Sequence, residues 1–294
     1  MVSPGKFTIF FFLVQLMAVM AMDVAKADDG WIDLHRFKNA PFPDESRSAG
    51  HTYDGKFYST EEHYSDNTVG IYIPPGFKPG KAIDFVVHFH GWNNHVSNVF
   101  DRYQLKRQFN ETGLNAILLV PEGPKDAPDS SGGKLERVPG AFKLLMEEIL
   151  TYLKEQKRIP DANLVGKITL TARSGGYNVV SAILKRGGIT SNITDVVLFD
   201  ASYGGLDGFI DWSTERRGRR LVSIFTEHLA VRNYEMLTML KSKQADFIAI
   251  MDKELTPIKL SPRKPIFIHT TDIVHDEVMQ KRDYFKLFLM GAMP

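Results

Sequence analysis

The chain has 294 residues and no cysteine, so it forms no disulfide bridge. An excess of charge of one sign is also missing, because 36 Lys and Arg residues are balanced by 35 Asp and Glu residues. Without residues 1–27, which carry Lys6, Asp23 and Lys26, the totals are 34 and 34, and the chain is formally neutral. A general nucleic-acid binder carries a basic excess. The composition therefore argues against a nucleic-acid partner and leaves one apolar core as the source of stability.

Long apolar runs are scarce as well, and the one clear case lies near the N-terminus, from Phe7 to Met22. Lys6 precedes this run, and Ala25-Lys26-Ala27 follows it with the small-x-small pattern of a signal-peptidase site. We expect a signal peptide over residues 1–27. The alternative is an uncleaved membrane anchor, because the run is long for a signal peptide. The sequence therefore predicts an exported protein, periplasmic or secreted, with no stable membrane insertion after cleavage.

The rest of the chain divides into two parts. Residues 28–66 show no apolar period, and we expect an N-terminal arm or edge structure there. Strands and helices alternate within residues 67–294, which predicts one α/β domain with a mainly parallel central sheet and helices on both faces. The predicted strands cover residues 69–73, 84–90, 116–121, 167–172, 195–200, 220–226, 247–250 and 265–270. The predicted helices cover residues 99–110, 140–157, 176–186, a segment that ends near 218, 230–243 and 277–290.

The most informative stretch runs from Ile168 to Gly176, where a predicted strand meets a predicted helix. Ala172-Arg-Ser174-Gly-Gly176 fits the G-x-S-x-G pattern of a nucleophile elbow, with Ala in the first Gly position. Small neighbours allow the tight turn that exposes a serine hydroxyl. The alternative is a Ser-Gly-Gly turn that only lets strand and helix pack closely.

A nucleophilic serine needs a carboxylate that orients its base. Asp200 closes the strand that follows Ser174, and Glu227 closes the next one. Both lie where the carboxyl ends of parallel strands meet, so either carboxylate is a candidate acid. Asp200 is the preferred candidate for the acid, and its alternative role is that of a helix-capping or turn residue.

The base must lie on a loop that can present its ring to the serine. His275 follows the last predicted strand and completes the chain order Ser, Asp, His. His269 lies inside that strand and is expected to be a core histidine, whereas His228 is expected to be a loop or pocket residue. We therefore assign Ser174, His275 and Asp200 as the candidate triad, with Glu227 as the alternative acid.

Backbone donors for an oxyanion are expected at a turn after an early strand, in the segment His90-Gly91-Trp92. The second donor would be the N–H of Gly175. His90 and Trp92 would then line the acyl pocket, although ordinary packing at a strand end is an equal alternative. Arg173, beside Ser174, would either bind a substrate carboxylate or form a salt bridge under the elbow.

A rival interpretation is a metal site, because imidazole and carboxylate suit zinc. Its ligands would come from His88, His90, His95, Asp272 and His275. Strand alternation places His88 and His90 on one sheet face with no further ligand at fixed spacing, and no H-E-x-x-H motif occurs. We therefore predict neither a metal nor a cofactor.

With these motifs, residues 67–290 resemble the α/β-hydrolase superfamily. The stretch from His88 to Trp92 and the loop over residues 123–129 are similar to exported bacterial esterases of the polyhydroxyalkanoate-depolymerase and feruloyl-esterase kind. The resemblance implies Ser174 as nucleophile, Asp200 or Glu227 as acid and His275 as base. Two departures are Ala172 in a Gly position and an acid that comes one strand early.

The expected function is an exported serine hydrolase that cleaves an ester, or less favourably an amide, through an acyl-enzyme. Its substrate would be a small molecule or a polymer fragment. The sequence leaves two alternatives open: a non-catalytic binding protein on the same scaffold, and a His/Asp metallohydrolase.

Overall fold

The computed structural model describes residues 30–162 and 164–292. The predicted signal peptide over residues 1–27 lies outside these described residues. Among the helices of the described part, none combines the length and the apolar character that a membrane crossing requires.

A nine-stranded sheet runs through the described residues. Its strand order is β1-β4-β6-β5-β7-β8-β9-β11-β10, and β2 and β3 form a separate hairpin. The pairs β1–β4 and β4–β6 are antiparallel, and every other pair in the sheet is parallel. The strands are β1 (Trp31–Arg36), β2 (His51–Tyr53), β3 (Lys56–Tyr58), β4 (Thr68–Ile73), β5 (Ala82–Phe89), β6 (Ala116–Pro121), β7 (Leu164–Arg173), β8 (Ile193–Phe199), β9 (Arg220–Phe225), β10 (Ile248–Met251) and β11 (Ile266–His269).

Helices cover both faces of this sheet. They are α1 (Thr60–His63), α2 (Val96–Arg102), α3 (Leu105–Asn110), α4 (Gly133–Arg137), α5 (Ala141–Glu155), α6 (Tyr177–Arg186), α7 (Leu206–Glu215), α8 (Ala230–Ser242), α9 (Pro257–Leu260) and α10 (Tyr284–Leu289). Apolar residues of α5, α6, α7 and α8 form one core layer, and those of α2, α3 and α10 form the other. The predicted mainly parallel sheet with helices on both faces is confirmed.

The central strands are apolar on both sides because both of their faces are covered. Along β5, Phe85 and Val87 enter the first core layer and Val86 enters the second, as strand alternation requires. A continuous apolar run, rather than an alternating one, is therefore the sequence signature of these strands.

Two predicted helices are wrong in detail. The predicted helix over 99–110 is two helices, because Gln104 has a left-handed backbone (φ 50°) that separates α2 from α3. The predicted helix over 277–290 begins only at Tyr284. Arg282 and Asp283 have positive φ values of 58° and 51°, and two such residues in succession end any right-handed helix.

The N-terminal segment is more regular than the sequence indicated. Within residues 28–66, β1 pairs with β4 and extends the central sheet at its edge. The long loop over residues 122–136 also contains structure, because α4 begins at Gly133. Both segments reach the turn after β5, because the ring of Tyr53 packs edge-on against Trp92 and Ser130 accepts the Trp92 indole N–H.

Candidate active site

Ser174 occupies a sharp turn between β7 and α6. Its backbone is left-handed, with φ 50°, a conformation that is costly for a residue with a side chain. Gly176 permits the turn, because a Cβ there would lie 2.4 Å from the backbone oxygen of Phe89. Ala172 is buried within β7 and is paired with Phe89 of β5. The turn therefore has the geometry of a nucleophile elbow with Ala172 in place of Gly.

The structure brings Ser174, His275 and Asp200 together from three separate strand ends. The Ser174 Oγ lies 3.0 Å from His275 Nε2, and His275 Nδ1 lies 2.7 Å from Asp200 Oδ2. Since a carboxylate only accepts, the Nδ1–H of His275 donates to Asp200. This leaves Nε2 of the neutral ring free to accept the proton of the Ser174 hydroxyl.

Asp200 is fully buried in a turn with a left-handed backbone (φ 48°). Thr226, at the end of β9, donates its N–H to Oδ1 at 2.9 Å and its hydroxyl to Oδ2 at 2.8 Å. Burial alone would raise the pKa of Asp200, but the hydrogen bonds from His275 and Thr226 outweigh it and lower the pKa. The carboxyl group is therefore ionised and held in a fixed orientation.

Glu227, the predicted alternative acid, does not reach His275. Its exposed carboxylate lies 3.1 Å from His269 Nε2, and the His269 ring stacks on Phe225. Glu227 begins a short 3-10 helix, and its side chain is exposed beside His269 of β11, whereas Asp200 follows β8 on the other side of β9. The geometry thus separates two carboxylates that the sequence left as alternatives.

The turn after β5 lies directly against the elbow. A Cβ on Gly91 would lie 2.7 Å from Ser174 Cβ and 3.3 Å from the Gly175 nitrogen. The backbone of Gly91 and Trp92 and the N–H of Gly175 therefore border the space in front of the Ser174 hydroxyl. Backbone N–H groups at such a place can stabilise a developing oxyanion without reorganisation.

A pocket of about 170 Å³ opens in front of Ser174. Its walls are Trp92, Ser130, Ser174, Gly175, Tyr177 and Tyr203. The indole N–H of Trp92 donates to Ser130 Oγ at 2.7 Å and joins the long loop to the pocket wall. Sequence reasoning placed Trp92 here but missed Ser130, Tyr177 and Tyr203. The sequence features that could have indicated these residues are the long loop, which holds Ser130, and the tyrosines three residues after Ser174 and Asp200.

No family model matches this chain, and no curated protein sequence matches it. Among solved structures, the feruloyl esterase module of Clostridium thermocellum, in complex with sinapinate, superposes with a TM-score of 0.56 and 10% identity over 89% of this chain and 87% of that chain. The chain has the α/β-hydrolase fold. The ferulic acid esterase of Anaeromyces mucronatus is also similar, with a TM-score of 0.49 and 16% identity over 89% of this chain and 100% of that chain. The serine hydrolase FphF of Staphylococcus aureus has a TM-score of 0.48 and 10% identity over 88% of this chain and 98% of that chain. The predicted superfamily resemblance is confirmed at the level of the fold.

His90 has a different place in this α/β-hydrolase fold from the one predicted. Its ring is buried rather than in the pocket wall, because it is held between the turn and a second carboxylate. Its Nδ1–H donates to the Gly91 carbonyl at 2.8 Å, and Nε2 lies 2.9 Å from Glu122 Oε1. The other oxygen of Glu122 accepts the N–H of Val96 at 3.1 Å. His90 and Glu122 therefore brace the Gly91–Trp92 turn from behind.

The charge on this pair follows from its geometry. Burial alone would lower the pKa of His90, but the hydrogen bond and negative charge of Glu122 outweigh it and hold the pKa above its ordinary value. The raised pKa favours a buried ion pair of His90 with Glu122 beneath the turn, and the N–H of Gly123 also lies 3.0 Å from the same Nε2.

The metal ligands proposed from the sequence do not converge. His88 lies against Thr171 with Nδ1 2.8 Å from Oγ1, and burial lowers its pKa to about 3. His95 pairs with Asp126, while Asp272 is exposed on its own loop. His88 lies in β5 and His90 in the turn after it, and their partners are a hydroxyl and a carboxylate.

Arg173 forms a salt bridge and is not presented to the pocket. Its buried guanidinium contacts the carboxylate of Asp276, the residue after His275, and lies over the ring of Tyr103 at 5.5 Å. Arg102 also approaches Asp276, at 3.6 Å. The neighbours of Ser174 and His275 in the chain are thus ion-paired, which fixes the His275 loop relative to the elbow.

Replacing Glu122 with Gln tests the buried ion pair. Because the pKa of His90 is raised on folding, its protonation stabilises the folded state. This stabilisation is complete below the ordinary His pKa of about 6.5 and is lost as the pH rises through the folded-state pKa. We expect Glu122→Gln to lower the free energy of unfolding by about 3 kcal/mol near pH 6 and by less at alkaline pH. Urea unfolding at both pH values measures this. The exposed Glu147→Gln should cost under about 1 kcal/mol at either pH. An equal loss for Glu122→Gln at both pH values would contradict the ion pair.

Proposed function

We propose that this protein is a serine hydrolase that cleaves carboxylic esters through an acyl-enzyme, with Ser174, His275 and Asp200 as its triad. The observation that carries the proposal is the continuous hydrogen-bonded line from the Ser174 hydroxyl through both ring nitrogens of His275 to Asp200, with contacts of 3.0 and 2.7 Å. Nucleophile, base and orienting acid need this order of contacts.

In the proposed mechanism His275 Nε2 accepts the proton of Ser174 while Oγ bonds to the substrate carbonyl carbon. The ionised Asp200 stabilises the imidazolium that forms. The oxygen of the tetrahedral intermediate accepts hydrogen bonds from the N–H of Gly175 and from the Gly91–Trp92 turn. As the carbonyl reforms, the bond to the leaving alcohol breaks and His275 returns the proton to it. Water then repeats these steps and releases the acid.

The pocket in front of Ser174 supports an ester of moderate size as substrate, either a small molecule or a polymer fragment. Its walls carry the rings of Trp92, Tyr177 and Tyr203 together with the hydroxyl of Ser130. The Clostridium thermocellum protein of the same fold is a feruloyl esterase, which favours an ester over an amide as the scissile bond here.

A fluorophosphonate probe tests the triad. We expect one covalent adduct on Ser174, none with Ser174→Ala, and strongly slowed labelling with His275→Ala. Asp200→Asn should lower the rate of p-nitrophenyl acetate hydrolysis by about 10⁴-fold, because the wrong tautomer of His275 is then favoured. Glu227→Gln is the matched control and should retain the rate, since its carboxylate faces His269. Absence of any adduct on the folded protein would favour a non-catalytic binding protein.

Gly91→Ala tests the oxyanion turn. An added methyl would lie 2.7 Å from Ser174 Cβ and would push the turn away from the elbow. We expect kcat to fall by about 10²- to 10³-fold, the effect of losing one oxyanion donor. Gly80→Ala is the control, because its Cβ would make only an ordinary 3.5 Å contact. Equal rates for the two variants would place the oxyanion elsewhere.

We also propose that the protein is exported. Support comes from the sequence, where Lys6, the apolar run from Phe7 to Met22 and the Ala25-Lys26-Ala27 site follow one another. N-terminal sequencing of protein recovered outside the cytoplasm should begin at Asp28. Recovery of the intact N-terminus in the membrane fraction would instead support the anchor.

A further inference from the structure

A second histidine stands beside the triad and has no part in the proposed mechanism. His228 lies in the short turn after β9, and its Nδ1 is 3.6 Å from Asp200 Oδ2. His275 Nδ1 approaches the same oxygen at 2.7 Å, and the two imidazole rings are 5.3 Å apart. One ligand atom from each of the three residues can be chosen so that all lie within 4.8 Å of one another.

We propose that Asp200, His228 and His275 form an inhibitory zinc site. Two imidazole nitrogens and one carboxylate oxygen, with water in the fourth position, are a donor set that Zn²⁺ takes in proteins. Zinc–ligand distances of about 2.0–2.2 Å imply ligand separations of about 3.3 Å in a tetrahedron. The separations of the His228 and His275 Nδ1 atoms from Asp200 Oδ2, 3.6 and 2.7 Å, therefore change by only about 0.3 and 0.6 Å on binding. The His228 side chain is 46% exposed, so it can move and an ion can reach it.

The hydrogen bonds around these residues match those of metal ligands, whose outer atoms are normally held by further polar groups. Asp200 is held by the N–H and hydroxyl of Thr226. The outer nitrogen of His228, Nε2, lies 2.8 Å from the Tyr203 hydroxyl, and that of His275 lies 3.0 Å from Ser174 Oγ. Zinc would replace only the inner contacts, namely those of the two Nδ1 atoms with Asp200 and Thr226.

Inhibition follows from the tautomer of His275. A neutral imidazole carries one proton, and coordination through Nδ1 places that proton on Nε2. Nε2 then has no lone pair to accept the Ser174 proton, so the base is lost while the pocket stays open. This consequence rests on the proposed function, whereas zinc binding itself does not.

Zinc binding is measured by isothermal titration calorimetry on the whole protein, as wild type, Ser174→Ala and His228→Gln. We expect one site in the first two proteins and at least about tenfold weaker binding in His228→Gln, because a direct ligand is lost. Co²⁺ in place of Zn²⁺ should give a visible absorption band that the same substitution removes. His269→Gln is the matched control, since this histidine at the end of β11 pairs with Glu227 and should leave binding unchanged.

Inhibition is measured with p-nitrophenyl acetate, each variant being normalised to its own zinc-free rate. The inhibitory Zn²⁺ concentration should rise at least about tenfold in His228→Gln, and a chelator should restore the wild-type rate. Equal zinc affinity of wild type and His228→Gln, or no binding to wild type, would overturn the site. A folded wild type that binds zinc but hydrolyses no ester would overturn the proposed function and leave the zinc site standing.

Discussion

The close approach of two backbone turns is the constraint on which the site depends. The elbow at Ser174 and the turn at Gly91 lie so near that a single Cβ on Gly91 would come within 2.7 Å of Ser174. Gly176 meets the same limit against the Phe89 carbonyl of β5. Because β5 and β7 are neighbouring parallel strands, their carboxyl ends bring these turns together. Ser174 is therefore held in a left-handed conformation by packing around it, and its hydroxyl is fixed in front of backbone donors.

The position of the acid shows how the sheet selects between similar residues. Asp200 and Glu227 both follow apolar strands, and β8 and β9 are adjacent in the sheet. Asp200 turns inward with a positive φ and receives both donors of Thr226, which stands on the neighbouring strand end. Glu227 comes one residue after Thr226 and turns outward to His269. The carboxylate that contacts His275 is thus the one that finds buried donors, and a carboxylate one strand early satisfies this as well as a later one.

Much of the site could be predicted from the sequence, because parallel topology makes strand ends converge. Ser174, Asp200 and His275 each follow a strand, and their chain order matched the superfamily. What could not be predicted were side-chain partners distant in sequence. The partner of His90, Glu122, lies 32 residues away in the sequence, so the burial of His90 under the turn left no local signal. The breaks at Gln104 and Arg282 were missed because neither residue is Gly or Pro, and only their left-handed backbone angles show that the helix is interrupted.

Two carboxylate–histidine pairs in this protein differ in what they can do, because their histidine rings differ in exposure to solvent. In His90–Glu122 both side chains are almost fully buried, at 1% and 3% exposure, and both ring nitrogens are used by Gly91 and Glu122. Such a ring cannot exchange a proton with a substrate, and it serves the shape of the turn. In His275–Asp200 only the carboxylate is buried, while the ring is 28% exposed and keeps one nitrogen for Ser174. The same chemical pair therefore braces a turn in one place and, in the proposed mechanism, moves a proton in the other, because only the His275 ring keeps one nitrogen for Ser174.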